Sequence, residues 1–303
     1  MSNPQIFQNA KSGSIKATGT YDIVDELGNV IRTVVDPKFC GCGLSQDKPL
    51  CDKSHANYVS NVTRMLEGAR KTVTSVSPIG IWALRANEIR KMALEHRIAD
   101  GEKLVGVKFG GALDKSKLPE KSYEGIFGYL TDAMEVKSNL NLKSLIYPLA
   151  EAEVVFKLGQ ELNQEITLEE VKDYVSHIAP GIEVFDCRYG AIDPFIHDAI
   201  ADNACSGAYA VGQWVDAKNF NFEGAEISIY EGGALNQRVP ASKIAGNPWQ
   251  AVVNVSKKLH EAGVTLPKDA IIFSGSATDG IPMKAAEYKV EITGLGEVSF
   301  KAN

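Results

Sequence analysis

The sequence predicts an α+β protein in which a small β-rich module with a metal-binding loop precedes a larger mixed domain rich in strands. β-Branched runs occupy much of residues 14–35, and three cysteines and a histidine follow within residues 40–55. Beyond residue 84, apolar runs of strand length alternate with helical patterns. These observations place the cysteine and histidine ligands in the first part and most of the core in the second.

Composition sets the boundary between the two parts. A length of 303 residues is enough for one large domain or two modest ones. The stretch from Asn57 to Val76 is polar, which predicts a connection between two units. We therefore place the boundary near Ser75, with one domain at 1–75 and the other at 76–303.

Charge and hydropathy exclude several classes of protein. A formal charge of −6 without a basic cluster argues against nucleic acid as a partner, because phosphate binding needs concentrated Lys and Arg. The sequence has no apolar run of the roughly 20 residues that span a bilayer, and its first residues, MSNPQIFQNAKSG, lack the apolar core of a secretory signal. We expect a cytoplasmic protein that acts on a small molecule.

Local patterns predict the individual elements. Residues 14–35 are expected to form short strands around a turn at ELGN. Apolar spacing predicts a helix from Trp82 to His96, and a capping box of Thr167 and Glu170 predicts another in ITLEEVKDYVSHI. A further helix is predicted in NPWQAVVNVSKKLHEAG, which ends at a glycine. Strands are predicted in KLVGVKFG, AEVVFKLG, AEISIY, AIIFSG and EVSFKA.

Four potential metal ligands have the spacing C-x-C-x8-C-x3-H; they are Cys40, Cys42, Cys51 and His55. Residues two apart point the same way in an extended segment, and residues four apart share one face of a helical turn. Zinc accepts three thiolates and an imidazole, and an iron–sulfur cluster accepts them too, so the spacing leaves both open. Cys187 and Cys205 lie far away in sequence and are interpreted as small buried side chains.

The residues around these ligands resemble a known motif. The string CGCGLSQDKPLCDKSH is similar to the motif of the CDGSH iron–sulfur family, including the serine, proline and aspartate positions between the ligands. Lys53 stands where the family usually has glycine, which bears on the redox behaviour of a cluster. A zinc-stabilised knuckle remains the alternative. The resemblance implies a [2Fe–2S] cluster held by Cys40, Cys42, Cys51 and His55.

A second candidate site is acidic. Glu151 and Glu153 lie in YPLAEAEVVFKLG, where alternation puts both side chains on the same face of a strand. Neighbouring like charges are costly, so the two glutamates either point to solvent or hold a hard divalent ion such as Mg2+ or Mn2+. Glu183, in APGIEVFDCRYG, is a candidate for a third oxygen ligand.

From about Leu84 to Lys301 the chain resembles the 2-hydroxypentadienoate hydratase and oxalocrotonate decarboxylase group of the fumarylacetoacetate hydrolase superfamily. The matching segments include FGYLTDAM, YPLAEAEVVFKLG, IADNACSGAYAVG and IIFSGSATDGIPMKA, in the family order. The resemblance implies a mixed β-rich roll, a homo-oligomer and the following site: Glu151, Glu153 and Glu183 as metal ligands, with Lys108 and Asp132 as site residues.

The chemistry of the family fits these residue types. A 2-oxo acid can chelate a metal ion through its carboxylate and its 2-oxygen, which stabilises an enolate. Lys108 and Asp132 are the candidate proton carriers, although a surface-paired lysine and a turn or helix-capping aspartate are the structural alternatives. Ser276 is a candidate substrate contact, because IIFSGSATDG resembles the family loop near the substrate carboxylate. Ser206, in the string NACSG, is a second candidate.

The sequence thus predicts a hydratase of 2-hydroxy-2,4-dienoates in aromatic-compound degradation, fused to an iron–sulfur module. Decarboxylation of an oxalocrotonate is the near alternative, and it requires a second cationic contact for the distal carboxylate. An alternative of another class is an iron–sulfur redox or sensor protein whose hydratase-like part is an inactive scaffold. The presence of Glu151, Glu153, Glu183 and Lys108 favours the enzyme.

Overall fold

The computed structural model describes residues 5–8, 15–25, 27–39, 47, 50, 79–110, 125–188 and 196–303. Its internal contacts divide the chain into two compact units, Met1–Ala86 and Asn87–Asn303. The predicted boundary near Ser75 falls outside the described residues, so it stays a prediction.

The described helices are α1 (Ile79–Ala99), α2 (Val171–Tyr174), α3 (Ile196–Ala201) and α4 (Pro248–Glu261). The described strands are β1 (Gln5–Gln8), β2 (Ile15–Thr18), β3 (Thr20–Val24), β4 (Val30–Val35), β5 (Lys38–Phe39), β6 (Leu104–Gly110), β7 (Ile126–Thr131), β8 (Asn139–Leu140), β9 (Pro148–Leu158), β10 (Val175–Asp186), β11 (Ser206–Val211), β12 (Val215–Asp216), β13 (Glu226–Glu231), β14 (Ala234–Pro240), β15 (Ile271–Phe273), β16 (Ile281–Pro282), β17 (Ala286–Ile292) and β18 (Gly296–Ala302). Short 3-10 turns lie at Asp132–Met134, Leu142–Ser144, Asn203–Cys205 and Ala241–Lys243.

The first unit is built from short antiparallel strands. Strands β1, β2 and β5 form a three-stranded sheet, and β3 and β4 form a hairpin. The turn of the hairpin is held by the Asp25 carboxylate, which accepts hydrogen bonds from the backbone N–H groups of Leu27 and Asn29. Gly28 takes a positive φ of 86° in this turn, where glycine avoids the steric cost of a side chain. The strands and the turn predicted for residues 14–35 are therefore confirmed.

The described strands of the second unit form two sheets. The larger has the strand order β11-β10-β9-β15-β6-β7, with β12 on β10 and β16 on β9, and the smaller has the order β14-β13-β17-β18-β8. Strands β9 and β10 of the larger sheet pack against β13, β17 and β18 of the smaller one. The main core fills the space between them, and helix α4 adds Trp249 to it beside Phe156.

Two of the three predicted helices are confirmed. Helix α1 includes the predicted span from Trp82 to His96. Helix α4 starts at the Asn247 cap, whose side chain accepts the Trp249 N–H, and a glycine with positive φ, Gly263, follows its end. Among the described residues, no helix combines the length and the apolar character needed to cross a membrane.

The helix predicted from Thr167 is largely wrong. Glu170 does accept the Thr167 N–H at 2.8 Å, but the helix α2 that follows is a single turn of four residues. From Val175 the chain is strand β10, which pairs with β9 along almost its whole length. Long-range pairing with a buried strand outweighs the local helical pattern here.

Candidate active site

Strand β9 is buried on both faces, and its two faces differ in chemistry. Ala152, Val154 and Phe156 belong to the main core. Because side chains alternate along a strand, Glu151 and Glu153 point to the opposite face, together with Val155. Glu153 is fully buried and Glu151 is partly exposed. The predicted placement of the two carboxylates on one face is therefore observed.

The neighbouring strands deliver the other charged groups to the same face. Glu183 on β10 is the register partner of Glu151, and its neighbours Ile182 and Val184 point into the main core. Lys108 on β6 lies two strands away on the other side of β9, because both strands pair with β15. Long-range pairing thus brings together residues that are far apart in sequence, and all project from one face of the sheet.

The three glutamates form a compact cluster. One carboxylate oxygen from each of Glu151, Glu153 and Glu183 lies within 4.8 Å of the others. Lys108 Nζ lies 2.6 Å from Glu183 Oε1, and both side chains are almost fully buried. Glu153 Oε1 and Glu183 Oε2 are buried and accept no hydrogen bond from the described residues. Unpaired buried carboxylate oxygens are costly, so the cluster fits a hard divalent cation.

A loop from Ser274 to Gly280 runs along the cluster. The Ser274 hydroxyl accepts the Val154 N–H, and the Thr278 hydroxyl accepts the Ala152 N–H. The Gly275 N–H donates to Glu153 Oε2 at 2.9 Å, which fixes this carboxylate and leaves its other oxygen free. Sequence reasoning singled out the string IIFSGSATDG but missed these three contacts. They become visible only when the loop is seen to substitute for a strand beside β9.

Burial and mutual repulsion shift the titration of the glutamates. Burial, followed by repulsion from Glu183, raises the pKa of Glu151 to about 8. The same two causes raise the pKa of Glu153 well above its usual range. Without a cation the cluster therefore retains protons at neutral pH, and a bound cation has to displace them.

The pKa of the lysine is raised as well, but for a different reason. Burial by itself lowers the pKa of Lys108, but the attraction of Glu183 and then Glu151 outweighs it, so the pKa is raised. Lys108 is therefore an ammonium at neutral pH and can donate a proton. The structural alternative of a surface-paired lysine does not hold, because its side chain is only 4% exposed.

The structure does not bring the other predicted residues into this cluster. Asp132 is exposed in the 3-10 turn after β7, where its carboxylate accepts the Lys103 N–H. The register of β6 and β7 pairs Thr131 with Leu104, which puts Asp132 more than four residues, roughly 14 Å, along the sheet from Lys108. The turn alternative describes its contacts, and a catalytic role for Asp132 stays a prediction.

The two predicted serines make contacts within the protein. The Ser276 hydroxyl donates to Thr278 O inside the loop beside the cluster. The buried Ser206 hydroxyl donates to Asn203 O and lies against Gly128, the register partner of Lys108. Both residues are near the candidate site, and substrate contact stays a prediction for each. The predicted iron–sulfur ligands Cys40, Cys42, Cys51 and His55 lie outside the described residues.

A comparison with protein families finds a match in the first part of the chain. Residues 12–56 match the family described as iron-binding zinc finger, CDGSH type. This span contains all four of the predicted ligands. The match confirms the predicted resemblance and indicates iron binding.

Curated relatives match the second part. A 4-oxalocrotonate decarboxylase of Pseudomonas sp is 29% identical over 223 residues, which cover 71% of this chain and 85% of the relative. A 2-hydroxyhexa-2,4-dienoate hydratase of Comamonas testosteroni is 29% identical over 215 residues, covering 69% and 81%. Hydratases and decarboxylases are lyases, so these relatives confirm the predicted resemblance and the predicted class of enzyme.

Solved structures agree on the fold. The 4-oxalocrotonate decarboxylase from Pseudomonas putida G7, complexed with magnesium and adipate, has a TM-score of 0.68 at 21% identity, covering 82% of this chain and 95% of that one. A putative fumarylacetoacetate hydrolase family protein from Yersinia pestis CO92 has a TM-score of 0.51 at 12% identity, covering 67% and 94%. The predicted fold class is confirmed.

Proposed function

We propose that the second unit is a divalent-metal-dependent hydratase of 2-hydroxy-2,4-dienoates that acts in the degradation of aromatic compounds. The observation that carries this proposal is the cluster of Glu151, Glu153 and Glu183 within 4.8 Å of one another, with buried oxygens that no described residue satisfies. A curated relative that is a dienoate hydratase, and a protein of the same fold complexed with magnesium, support it.

The glutamates would hold Mg2+ or Mn2+, which when bound supplies a Lewis acid for negative charge on a 2-oxo acid. Glu153 is oriented for this role by the Gly275 N–H. Glu151 is the partly exposed member, so the substrate approaches from its side of the cluster. The main core on the opposite face of β9 keeps water away from the back of the site.

Lys108 is the proton donor in this proposal. Hydration of a dienol requires a proton at the far carbon before water adds at C4. Lys108 is buried, charged and held at 2.6 Å from Glu183, so its ammonium has a fixed position. Once the charge of the glutamates is offset by a cation, they attract the ammonium less, and the pKa of Lys108 falls toward its usual value. The lysine is then a stronger acid.

Decarboxylation of an oxalocrotonate is the second candidate function. It is favoured by the decarboxylase relative, which is as similar in sequence as the hydratase relative. Both reactions use negative charge on the same 2-oxo acid group, so the glutamates and Lys108 serve either one. The two differ in the need for a second cation at a distal carboxylate.

The test is to assay the full-length protein with Mg2+ or Mn2+ on 2-hydroxypenta-2,4-dienoate and on 4-oxalocrotonate. Loss of the dienol absorbance without release of CO2 supports the hydratase, and release of CO2 from the diacid supports the decarboxylase. Glu183→Gln is the test variant, because it keeps the size of the side chain and removes one anionic ligand, and it is expected to lose turnover of both substrates. Turnover of both substrates at the wild-type rate by this variant would overturn the metal-dependent site.

For the first part of the chain we propose a [2Fe–2S] cluster held by Cys40, Cys42, Cys51 and His55. The CDGSH-type match over residues 12–56 supports it. Measurement of iron and acid-labile sulfide in a one-to-one ratio, with visible absorption, is the expected result. Zinc in place of iron would favour the knuckle. A cluster without turnover of either substrate would favour the redox or sensor protein with an inactive scaffold.

We further propose that the protein is a cytoplasmic homo-oligomer, as the family resemblance implies. Light scattering coupled to size-exclusion chromatography tests the assembly, since a monomer would elute with the mass of 32.8 kDa that corresponds to one chain. A mass that is a multiple of this value is expected.

A further inference from the structure

A second buried cluster lies outside the glutamate site. Cys187, Asp202 and Cys205 each place one ligand atom within 4.8 Å of the others, and all three are buried. The acidic member is already paired, because Arg188 Nε lies 2.9 Å from Asp202 Oδ1 and the Arg188 backbone N–H donates to Oδ2 at 3.1 Å. The positive charge of the guanidinium repels a metal ion at this position. The two thiols are therefore the groups of the cluster that remain available for chemistry.

The two thiols contact each other. Cys187 follows the end of β10 and Cys205 immediately precedes β11, just beyond the last pair of their ladder, Phe185 with Ser206. Continuation of this register opposes Asp186 to Cys205, so the two cysteines are offset by one position, and their sulfur atoms lie within 4.8 Å of each other. A disulfide has a bond length of about 2.05 Å, so the turn before β11 has to shift for the two sulfurs to join. The hydrogen bond between Cys205 and Cys187, together with burial, raises the pKa of Cys205, so this thiol is protonated at neutral pH.

The turn that carries Cys205 is strained. Asn203, Ala204 and Cys205 have consecutive φ values of 56°, 53° and 56°, in the left-handed region that non-glycine residues rarely adopt. The Asn203 side chain holds the turn in place, because its amide accepts the Tyr129 N–H at 2.7 Å and donates to Tyr129 O at 2.8 Å. The strain energy of such a turn can be released when a new covalent bond changes its conformation.

The turn Asn203–Cys205 also lies against β7, the strand that pairs with β6 and therefore with Lys108. Asn203 O and Ser206 Oγ approach Gly128 so closely that there is no room for a side chain at that position. Gly128 is the register partner of Lys108. A movement of the turn would therefore displace β7 at Gly128, and the hydrogen bonds between β7 and β6 would transmit the displacement to Lys108.

We propose that Cys187 and Cys205 form a modification site, a dithiol that a peroxide oxidises to a disulfide and that thereby lowers turnover at the glutamate site. Both thiols are buried and Cys205 is protonated, so the reaction requires local opening of the turn Asn203–Cys205 and loss of a proton from one thiol. The thiolate sulfur then attacks the peroxide, the O–O bond breaks, and a sulfenic acid and one water form. The other sulfur then displaces the sulfenic oxygen as a second water. The two thiols lose two electrons and two hydrogens, and hydrogen peroxide is reduced to two waters.

The effect on turnover rests on the proposed function, whereas the formation of the disulfide does not. The experiment therefore has two readouts on the full-length protein. The protein is treated with hydrogen peroxide, blocked with an alkylating agent under unfolding conditions and digested without reductant. We expect a peptide pair linked through Cys187 and Cys205, about 2 Da lighter than the two thiol peptides and separated by dithiothreitol.

Cys187→Ser and Cys205→Ser are the matched variants, because each removes one thiol with little change in volume. They also control for oxidation elsewhere in the chain. Turnover of the wild type is expected to fall about tenfold on oxidation and to return with reductant, since small displacements of catalytic groups have effects of this order or larger. Both variants should keep their turnover under the same treatment.

Alkylation of both cysteines after peroxide treatment, without a linked peptide, would overturn the modification site. A linked peptide with unchanged turnover would overturn its effect on the glutamate site. If the reduced protein turns over neither substrate, the proposed function fails, and the peptide readout still decides whether the disulfide forms.

Discussion

The described part of the second unit holds two buried clusters, one of three glutamates and one of two cysteines and an aspartate, which are similar in spacing and differ in what they leave unpaired. Each cluster brings three potential ligand atoms within 4.8 Å of one another, and each has one cationic side chain beside it. At the glutamate cluster, Lys108 reaches one oxygen of Glu183, while Glu153 Oε1 and Glu183 Oε2 stay without a hydrogen bond from described residues. At the cysteine cluster, Arg188 approaches both oxygens of Asp202.

The difference lies in the number of carboxylates that each cation faces. The guanidinium of Arg188, with its backbone N–H, can serve a whole carboxylate, whereas the ammonium of Lys108 is a point charge beside three carboxylates. At the second cluster the single carboxylate is therefore paired, whereas the first has two further carboxyl groups without a cationic partner, which release their protons when a divalent ion binds. Proximity of potential ligands is not sufficient for a metal site, since the charge already present decides whether a cation is needed.

The largest effect on turnover is expected for Lys108→Met. This substitution removes the buried proton donor but keeps a side chain of similar length, and general acid catalysis contributes about 10²–10⁴-fold to rates. We expect kcat to fall by that factor at saturating Mg2+. Lys157→Met is the control, because Lys157 lies on the same sheet, 4.5 Å from the Trp214 ring, and should keep near-normal turnover. Equal kcat values for the two variants would remove Lys108 from the mechanism.

Glu153→Gln and Asp202→Asn test the comparison of the two clusters directly. Glu153→Gln should abolish the rise in unfolding temperature on addition of Mg2+ and lower kcat/KM by at least about 100-fold, since even changes outside the direct ligands cost 10–100-fold. Asp202→Asn should keep the response to Mg2+ but lower the free energy of unfolding by about 3 kcal/mol, because Arg188 loses its buried partner. The opposite pattern, measured by thermal unfolding with and without Mg2+, would reverse the assignment of the two clusters.

The pH dependence of metal stabilisation is expected to be smaller but distinctive. The pKa of Glu151 is raised to about 8 in the folded protein without metal, so the folded state binds more protons than the unfolded state between the unfolded pKa and pH 8. The metal-free protein therefore loses stability as pH rises through this range. Mg2+ binds the deprotonated cluster, so the gain in unfolding temperature at a fixed Mg2+ concentration should be larger at pH 8 than at pH 6. A gain that is constant across pH 6, 7 and 8 would contradict the protonated cluster.

The smallest effect is expected for Gly280→Ala. A Cβ at this position would lie 3.2 Å from Glu151 Oε1 and 3.0 Å from the Leu149 side chain, so the glutamate has to move by a few tenths of an ångström. We expect Mg2+ affinity to weaken by several-fold, about 1 kcal/mol, with little change in stability. Gly224→Ala is the contrast, since nothing lies within 4 Å of a Cβ there but φ is 73°, and it should affect stability without changing Mg2+ affinity.

Local rules predicted the parts of the fold and of the site that depend on short-range periodicity. Alternation along YPLAEAEVVFKLG correctly put Glu151 and Glu153 on one face of a strand, because the period of two holds whatever the partner strand is. The same kind of reasoning failed at Thr167, where β10 takes over from a helical pattern after one turn. There the outcome depended on pairing with β9, which local propensity does not contain.

The sequence by itself determined which chemical groups the protein has and which of them share a strand face, since residue type and the geometry of one strand suffice for both. Only the tertiary structure decided that Glu183 and Lys108 join Glu151 and Glu153, and that Asp132 lies beyond the end of β7, near Leu104 rather than Lys108. Strand register sets these distances, and it results from contacts between residues far apart in sequence. The fold also decided, for the same reason, which carboxylate oxygens remain without a hydrogen bond from the described residues.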